Sequence, residues 1–251
     1  MPYSLGKVAY VNSLPLFCGG GFDDFAVCSA APCVLNSLVA QGKLHAAMIS
    51  RWVYESCAAK DYEVLGNYGI FGDGEIMSVK IFSKIPFEKF ADASIYITPE
   101  TGTSSRAFAM LFRRRYGVDI FALPRAPLES ADAALLIGDA ALLFTPYEFC
   151  ADLGEMWKAE TGLPMMYSVF VARRDVAAEM EEILPPLLRN SLDKFSNDRS
   201  AVIAEAAESL SREGKGRSPE FVSKYYSRLI YRLPRETFKK TFDFIAKNAR
   251  A

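Results

Sequence analysis

The stretch ITPETGTSSRAFAML, Ile97–Leu111, joins a short apolar segment to a helical pattern through a cluster of hydroxyl-bearing residues. The apolar run ends at Ile97, and Thr103 and Ser104 open the helix directly after a glycine. The N-terminus of a helix presents unpaired N–H groups and the positive end of the helix dipole. These hydroxyls therefore either cap the helix or bind an anion, and the sequence leaves both interpretations open.

The order of the segments around this stretch predicts an α/β fold. Residues 7–11 (KVAYV) and 45–50 (HAAMIS) are typical of buried strands, and residues 31–44 between them carry a helical apolar pattern. Strands are also predicted for residues 75–84, 93–99, 132–143 and 165–174, with a sharp break at Gly138-Asp139 in the third of these. A helix is predicted for residues 152–164, with Asp152 as N-cap and Gly162 after its end. Such β-α-β alternation favours a parallel sheet covered by helices.

The segments group into two lobes. Residues 1–85 plus 171–251 are predicted to form lobe I, including a tail that is helical after Asp175, and residues 86–170 to form lobe II. Two chain crossings between the lobes would act as a hinge over a cleft. Ligands of open α/β sheets bind beyond the carboxyl ends of the strands, so we expect the site at those ends.

Polar residues follow several of the predicted strands. Asn12 follows the first strand, and its amide can orient a hydroxyl or a carboxylate but cannot act as a base; the family resemblance described below makes it the candidate catalytic residue. Arg51 could bind a carboxylate through two hydrogen bonds or could lie at the surface beside Glu55. Asp139 could face the ligand or cap a turn. The candidate substrate-binding residues are Ser50, Arg51, Ser83, Thr103, Ser104, Gly138 and Asp139.

Composition excludes several classes of function. The 251 residues include 29 basic and 30 acidic side chains, and a formal net charge of −1 argues against a nucleic-acid or anionic-membrane surface. A single histidine gives little material for a metal site or a Ser-His-Asp triad. Neither a P-loop nor a G-x-G-x-x-G motif is present. The N-terminal MPYSLGKVAYVNS has no signal-peptide pattern, which predicts a cytoplasmic protein that does not enter a membrane.

Six segments resemble, in order, those of the chorismate dehydratase family of the futalosine route to menaquinone. They are VAYVNSLPL, LVAQGKLHAAMIS, SVKIFSK, ITPETGTSS, ADAALLIGDAAL and DLGEMWKAETGLPMMYSVFVARR. The resemblance spans about residues 6–174. It departs from the family at Gly102, where many relatives have an arginine.

The resemblance implies a two-lobed fold of the type II periplasmic-binding-protein kind with a cleft between the lobes. It implies a hydro-lyase that removes water from chorismate, a dicarboxylate, to give 3-[(1-carboxyvinyl)oxy]benzoate, without a metal or an organic cofactor. Asn12 matches the asparagine of the family's tyrosine-x-asparagine motif. The scarcity of bases suggests that a carboxylate of the substrate takes the ring proton. The oligomeric state is left open.

Two other functions remain as alternatives. A non-catalytic protein that binds an anionic solute would have the same fold. A 1,4-dihydroxy-6-naphthoate synthase would also have it, but that family has a histidine near the position of Gly138, which this chain lacks.

Overall fold

A computed structural model describes residues 2–145, 147–212 and 216–249. The strands in these residues are β1 (Tyr3–Val8), β2 (Phe25–Ala30), β3 (Ala46–Ser50), β4 (Tyr62–Gly72), β5 (Val79–Ser83), β6 (Ile95–Ile97), β7 (Ala133–Ile137), β8 (Phe149–Asp152), β9 (Met165–Arg173) and β10 (Ile230–Arg232). The α-helices are α1 (Pro32–Ala40), α2 (Arg51–Val53), α3 (Thr103–Tyr116), α4 (Gly138–Leu143), α5 (Leu153–Thr161), α6 (Ala177–Asn197), α7 (Ser200–Arg212), α8 (Pro219–Tyr226) and α9 (Arg235–Ala249). None of these helices combines the length and the apolarity needed to cross a membrane.

The strands form two mixed sheets, one in each lobe. The first has the order β10-β4-β9-β3-β1-β2 and the second β6-β7-β5-β8. Strand β1 pairs in parallel with β2 and β3, but β9 runs antiparallel to β3 and β4. The parallel sheet predicted from the first β-α-β units is therefore confirmed for β1, β2 and β3, whereas β9, which returns from the other lobe, joins the same sheet in the antiparallel direction. A returning strand carries the same apolar pattern in either direction, so its sequence does not show its orientation.

The chain crosses between the sheets earlier than predicted, between Gly72 and Val79 and between Thr161 and Met165. Strand β5 belongs to the second sheet, where it pairs with β7 and β8, and β9 lies within the first sheet. By sheet membership the lobes are thus divided near residues 73–78 and 162–164, whereas the sequence suggested 85/86 and 170/171. Strands β5 and β9 adjoin the crossings, and an apolar run does not indicate which sheet it enters.

The first crossing is fixed by the residue that caps α5. The carboxylate of Asp152 accepts the Gly154 N–H at 2.9 Å, as a helix N-cap does. It also accepts the N–H groups of Ile76 at 3.1 Å and Met77 at 2.8 Å. Met77 has a φ of 66°, a left-handed conformation that is uncommon outside glycine. These hydrogen bonds hold the strained backbone immediately before β5.

Helix ends agree well with the sequence pattern, and short apolar segments agree less well. Gly117 and Gly162 adopt left-handed conformations after α3 and α5. The segment 132–143, predicted as a strand with a break at Gly138-Asp139, is a strand up to Ile137, and the residues after the break form α4. Residues 140–143 (AALL) are all apolar, so they fit the two-residue period of a strand as well as the 3.6-residue period of a helix. The local pattern therefore could not decide between the two.

The tail after Asp175 is helical as predicted, apart from the short strand β10. Helix α6 packs against β4 and against the 3-10 turn at Val11–Leu16, which α7 also contacts. Strand β10 pairs with β4 at the edge of the first sheet. The tail thereby covers lobe I and reaches the turn that follows β1.

Candidate active site

A cavity with about 550 Å³ of space not filled by protein lies between the two sheets. It is lined by the turn after β1, the end of β3, the segment between β6 and α3, and the start of α4, together with parts of β9 and the first crossing. Five of the predicted site residues line it. They are Asn12, Ser50, Thr103, Ser104 and Gly138. Polar strand ends from both lobes therefore meet at one site.

Asn12 lies on the 3-10 turn after β1 and is 9% exposed. Its Oδ1 is buried and has no hydrogen-bond partner in the protein. The turn itself is fixed, because the Ser13 hydroxyl donates to the Val8 carbonyl at 2.6 Å and the Tyr226 hydroxyl donates to the Val11 carbonyl at 2.9 Å. A buried polar atom without a partner is costly, and two groups can supply the missing hydrogen bond: the neighbouring Tyr225 hydroxyl after a small shift, or a hydroxyl of a molecule bound in the cavity.

Tyr225, on α8, lies behind Asn12. Burial raises the pKa of its phenol strongly, and interactions with Ser78 and Asn12 oppose that rise. Its hydroxyl nevertheless lacks a partner at hydrogen-bonding geometry. The Tyr167 hydroxyl lies beside Gly154 at the start of α5 and is likewise buried without a partner. Burial raises its pKa well above the usual value. Both phenols stay protonated and can donate a hydrogen bond.

The hydroxyls that open α3 have different roles. The Thr103 hydroxyl accepts the Trp52 N–H at 3.1 Å and donates to the Tyr167 carbonyl at 3.0 Å, so it joins the lobes. The Thr101 hydroxyl accepts the Ser105 N–H at 3.2 Å, which is a capping contact. Ser104 is 5% exposed and lines the cavity. Of these side chains, Ser104 is the one placed toward a ligand, beside the N-terminus of α3.

Ser50 presents its hydroxyl to the cavity from the end of β3. The Asn36 amide donates to the Ser50 Oγ at 3.1 Å and accepts the Ser50 N–H at 3.0 Å. Since its oxygen already accepts one hydrogen bond, the Ser50 hydroxyl can donate its own proton to a ligand.

The structure places Arg51 outside the cavity lining. Its guanidinium is fully buried, donates to Glu55 at 2.9 Å and to the Phe242 carbonyl at 2.8 Å, and lies 3.4 Å from the centre of the Phe242 ring. Burial lowers its pKa, and the nearby Glu55 carboxylate opposes this change. Arg51 therefore joins α2 to α9. No lysine, arginine or histidine in the described residues lines the cavity.

Ser83 and Asp139 are also absent from the lining. The Ser83 hydroxyl donates to the Ile85 carbonyl at 2.6 Å and closes the turn after β5. The Asp139 carboxylate is buried and accepts the Val11 N–H at 3.2 and 3.3 Å. Both residues contribute to the structure around the cleft, and Asp139 supports the turn that carries Asn12.

Sequence reasoning passed over Tyr10 and Glu100, which both line the cavity. The Tyr10 hydroxyl donates to the Glu100 carboxylate across the cleft. Burial, this hydrogen bond and the nearby negative charge all raise the pKa of Tyr10. Tyr10 is the tyrosine of the tyrosine-x-asparagine motif, which was the available signal for it. Glu100 lies three positions before Thr103, and that proximity was its only signal. Glu100 also supplies the cavity with a carboxylate that the sequence analysis did not expect.

No group of three metal-ligating side chains in the described residues is arranged to hold a metal ion. The cavity offers amide, hydroxyl and backbone N–H donors, with one carboxylate already bonded to a phenol. This chemistry suits a small anionic ligand that also carries a hydroxyl.

The family model described as "Menaquinone biosynthesis" matches residues 3–247. The chain belongs to the menaquinone biosynthesis family. This family membership confirms the resemblance drawn from the six sequence segments. One curated relative, named chorismate dehydratase, comes from Thermus thermophilus and is 28% identical over 205 residues, which are 69% of this chain and 71% of the relative.

Several solved structures of other proteins have the same fold as this menaquinone biosynthesis protein. A protein from Archaeoglobus fulgidus has a TM-score of 0.79 at 18% identity, over 99% of this chain and 97% of that one. The periplasmic aliphatic sulphonate binding protein of Escherichia coli has a TM-score of 0.66 at 11% identity, over 99% and 92%. A Candida albicans protein described as having the generic periplasmic binding protein fold has a TM-score of 0.62 at 11% identity, over 100% and 90%. The predicted two-lobed fold is thereby confirmed.

Proposed function

We propose that the protein is a chorismate dehydratase, a carbon–oxygen lyase that converts chorismate to 3-[(1-carboxyvinyl)oxy]benzoate in the futalosine route to menaquinone. The observation that carries this proposal is the buried, unpartnered Oδ1 of Asn12 at the wall of the interlobe cavity. Membership of a menaquinone biosynthesis family and similarity to a protein named chorismate dehydratase support the same reaction.

The cavity suits a small dicarboxylate. Its lining combines apolar side chains with amide and hydroxyl groups from both lobes, as is usual for small-molecule sites. One carboxylate would bind at the N-terminus of α3, where backbone N–H groups, the helix dipole and the Ser104 hydroxyl favour an anion. The Ser50 hydroxyl would donate from the opposite lobe. Since no cationic side chain among the described residues lines the cavity, uncharged donors would hold the substrate.

The reaction removes one ring proton and one hydroxyl group. The C–H bond breaks as its electron pair forms the new ring double bond, and the C–O bond breaks as the hydroxyl leaves with a proton as water. Asn12 would orient the leaving hydroxyl through its amide, and a carboxylate of the substrate would take the ring proton and pass it to that hydroxyl, which leaves as water. Because the ring becomes aromatic, the step is favourable, and positioning can supply much of the rate enhancement.

The first test is to incubate the purified protein with chorismate and follow the products by chromatography with mass detection. A product lighter by one water that co-elutes with authentic 3-[(1-carboxyvinyl)oxy]benzoate is the expected result. Asn12→Ala should lower turnover by about 100-fold or more, by analogy with the loss of one positioned hydrogen-bond donor. Asn190→Ala, which removes an exposed amide on α6, is the matched control and should retain turnover. Unchanged chorismate with the wild-type protein would refute the proposal.

A second candidate function is the binding of an anionic solute without chemistry. The similarity to periplasmic sulphonate-binding proteins favours this candidate. Chorismate that raises the melting temperature but is not consumed would support binding alone. A 1,4-dihydroxy-6-naphthoate synthase activity ranks lower. Gly138 has a φ of 60°, and a Cβ there would lie 2.6 Å from the Tyr10 ring, which leaves no space for a histidine side chain.

A further inference from the structure

We infer that Tyr10 is a positioning residue that lobe II holds in place, so that Asn12 is aligned only when the cleft is closed. The inference concerns four residues, which we call the Tyr10 clasp: Tyr10 from lobe I and Glu100, Gly138 and Asp139 from lobe II. Its catalytic consequence rests on the proposed function, but its structural consequence does not.

The hydroxyl of Tyr10 reaches the opposite lobe. Tyr10 follows β1 in the first sheet, whereas Glu100 follows β6 in the second, and the phenol donates directly to the Glu100 carboxylate. Burial and the carboxylate both raise the pKa of Tyr10, so the phenol stays protonated wherever Glu100 is charged. A charge-assisted hydrogen bond of this kind is stronger than one between neutral groups.

The ring of Tyr10 lies on a position that only glycine can occupy. A Cβ on Gly138 would lie 2.6 Å from both Cδ2 and Cε2 of the Tyr10 ring, which is closer than real contacts allow. Gly138 also has a φ of 60°, which favours glycine independently. In lobe II the ring of Tyr10 therefore packs against the backbone of Gly138, and its hydroxyl contacts Glu100.

The backbone next to Tyr10 is held by the same lobe. The N–H of Val11 donates to both carboxylate oxygens of Asp139, at 3.2 and 3.3 Å. Asp139 is 5% exposed, so this hydrogen bond is shielded from water. Asn12 is the next residue. When the lobes separate, the contacts of Tyr10 and Val11 with lobe II are lost together, and the Asn12 amide loses its fixed position.

Tyr10→Phe tests the clasp, because phenylalanine keeps the ring on Gly138 and removes the hydroxyl. We expect kcat to fall by about 10- to 100-fold, with a smaller change in KM, as for a misplaced catalytic group. We also expect faster amide hydrogen exchange in residues 10–16. Tyr3→Phe is the matched control, since it removes a surface phenol that donates to Glu179 at 2.5 Å. Equal turnover and equal exchange in the two variants would overturn the inference.

Replacements of Glu100 separate positioning from chemistry. Glu100→Gln keeps an acceptor for the phenol, whereas Glu100→Ala removes it. We expect the glutamine variant to retain slow exchange in residues 10–16 and to turn over faster than the alanine variant. Turnover lost in both variants with slow exchange retained in the glutamine variant would mean that Glu100 acts as a base, and would overturn the inference. Should the wild-type protein leave chorismate unchanged, the proposed function fails, and hydrogen exchange still decides whether the clasp exists.

Discussion

Gly102 shows how one residue can set the charge of the site. A Cβ at this position would lie 2.7 Å from Cγ2 of Val53 and 2.8 Å from the Ser50 Oγ, so the arginine of many relatives does not fit this arrangement. Arg51 does not replace that charge, because it is buried against Phe242. The proposed site thus relies on the N-terminus of α3 and on neutral donors to hold an anion.

The Tyr225 hydroxyl provides the residue-scale prediction. We expect Tyr225→Phe to change the free energy of unfolding by less than about 1 kcal/mol, because the hydroxyl is buried without a partner at hydrogen-bonding geometry. Turnover of chorismate should nevertheless fall about tenfold, which corresponds to about 1.4 kcal/mol, because the hydroxyl lies beside Asn12. Denaturant unfolding and steady-state kinetics measure the two effects.

The matched control for that substitution is Tyr231→Phe. Tyr231 is another buried tyrosine whose hydroxyl has no partner, but it lies on β10 and, unlike Tyr225, has no interaction with Asn12 among those that shift its pKa. An equal loss of turnover in both variants would contradict a specific role for Tyr225.

Single residues were the least predictable part of the site. The position of Asn12 at the cavity could be predicted, because it stands in a recognisable motif in the turn that follows the first strand. Arg51 also follows a strand, but its partner carbonyl belongs to Phe242, 191 residues later in the chain. Tyr10 and Glu100 meet only after both lobes have folded. Contacts of such long range are set by packing, and local sequence patterns do not reveal them.

At the scale of elements, one aspartate joins the starts of β6 and β7. The Asp132 carboxylate accepts the Ser94 N–H at 2.8 Å and the Ser94 hydroxyl at 2.6 Å. These hydrogen bonds lower the pKa of Asp132. A carboxyl whose pKa is lower in the folded than in the unfolded state stabilises the fold above its unfolded pKa, about 3.9, and loses this effect as the pH falls through the folded value.

We therefore expect Asp132→Asn to lower the melting temperature most between pH 5 and 7, and the difference from the wild-type protein to shrink below about pH 4. Melting curves across this range provide the measurement. Asp193→Asn, at an exposed position on α6, serves as the control. If the difference in melting temperature between Asp132→Asn and the wild-type protein stays constant down to pH 3, the charge of Asp132 does not contribute to stability.

Helices that begin and end at capping residues could be predicted from the sequence. Elements that are defined only by pairing with another strand could not. Asp152 and Gly162 delimit α5 as the sequence indicated, because a carboxylate cap and a left-handed glycine act locally. The edge strand β10 was missed, since its three residues are held in place only by pairing with β4. Helix α4 was taken for a strand for a similar reason: it is too short to show its period.

At the scale of the whole molecule, Thr103 connects the lobes beside the ligand. We expect Thr103→Val to lower the free energy of unfolding by about 1–3 kcal/mol, because it leaves the buried Trp52 N–H and the Tyr167 carbonyl without their partner. The affinity for chorismate should fall as well. Calorimetric titration and denaturant unfolding test both expectations.

Ser105→Ala is the comparison for Thr103→Val, since the Ser105 hydroxyl bonds the Gly102 carbonyl within the same segment. Similar losses of stability in the two variants would argue that Thr103 acts only within its own helix. The two-lobed architecture itself could be inferred from the resemblance. The positions of the crossings could not, because sheet membership depends on which strands meet in space.

The contact between α8 and the turn after β1 has a consequence for the synthesis of the chain on the ribosome. Tyr226 donates to the Val11 carbonyl, and Tyr225 lies beside Asn12, although more than 200 residues separate these partners in the sequence. Chains emerge from the ribosome N-terminus first. During translation the Asn12 turn is therefore made long before α8, and its contacts with Tyr225 and Tyr226 form among the last events of synthesis. A ribosome that stalls within the tail leaves a chain whose Asn12 turn lacks these contacts.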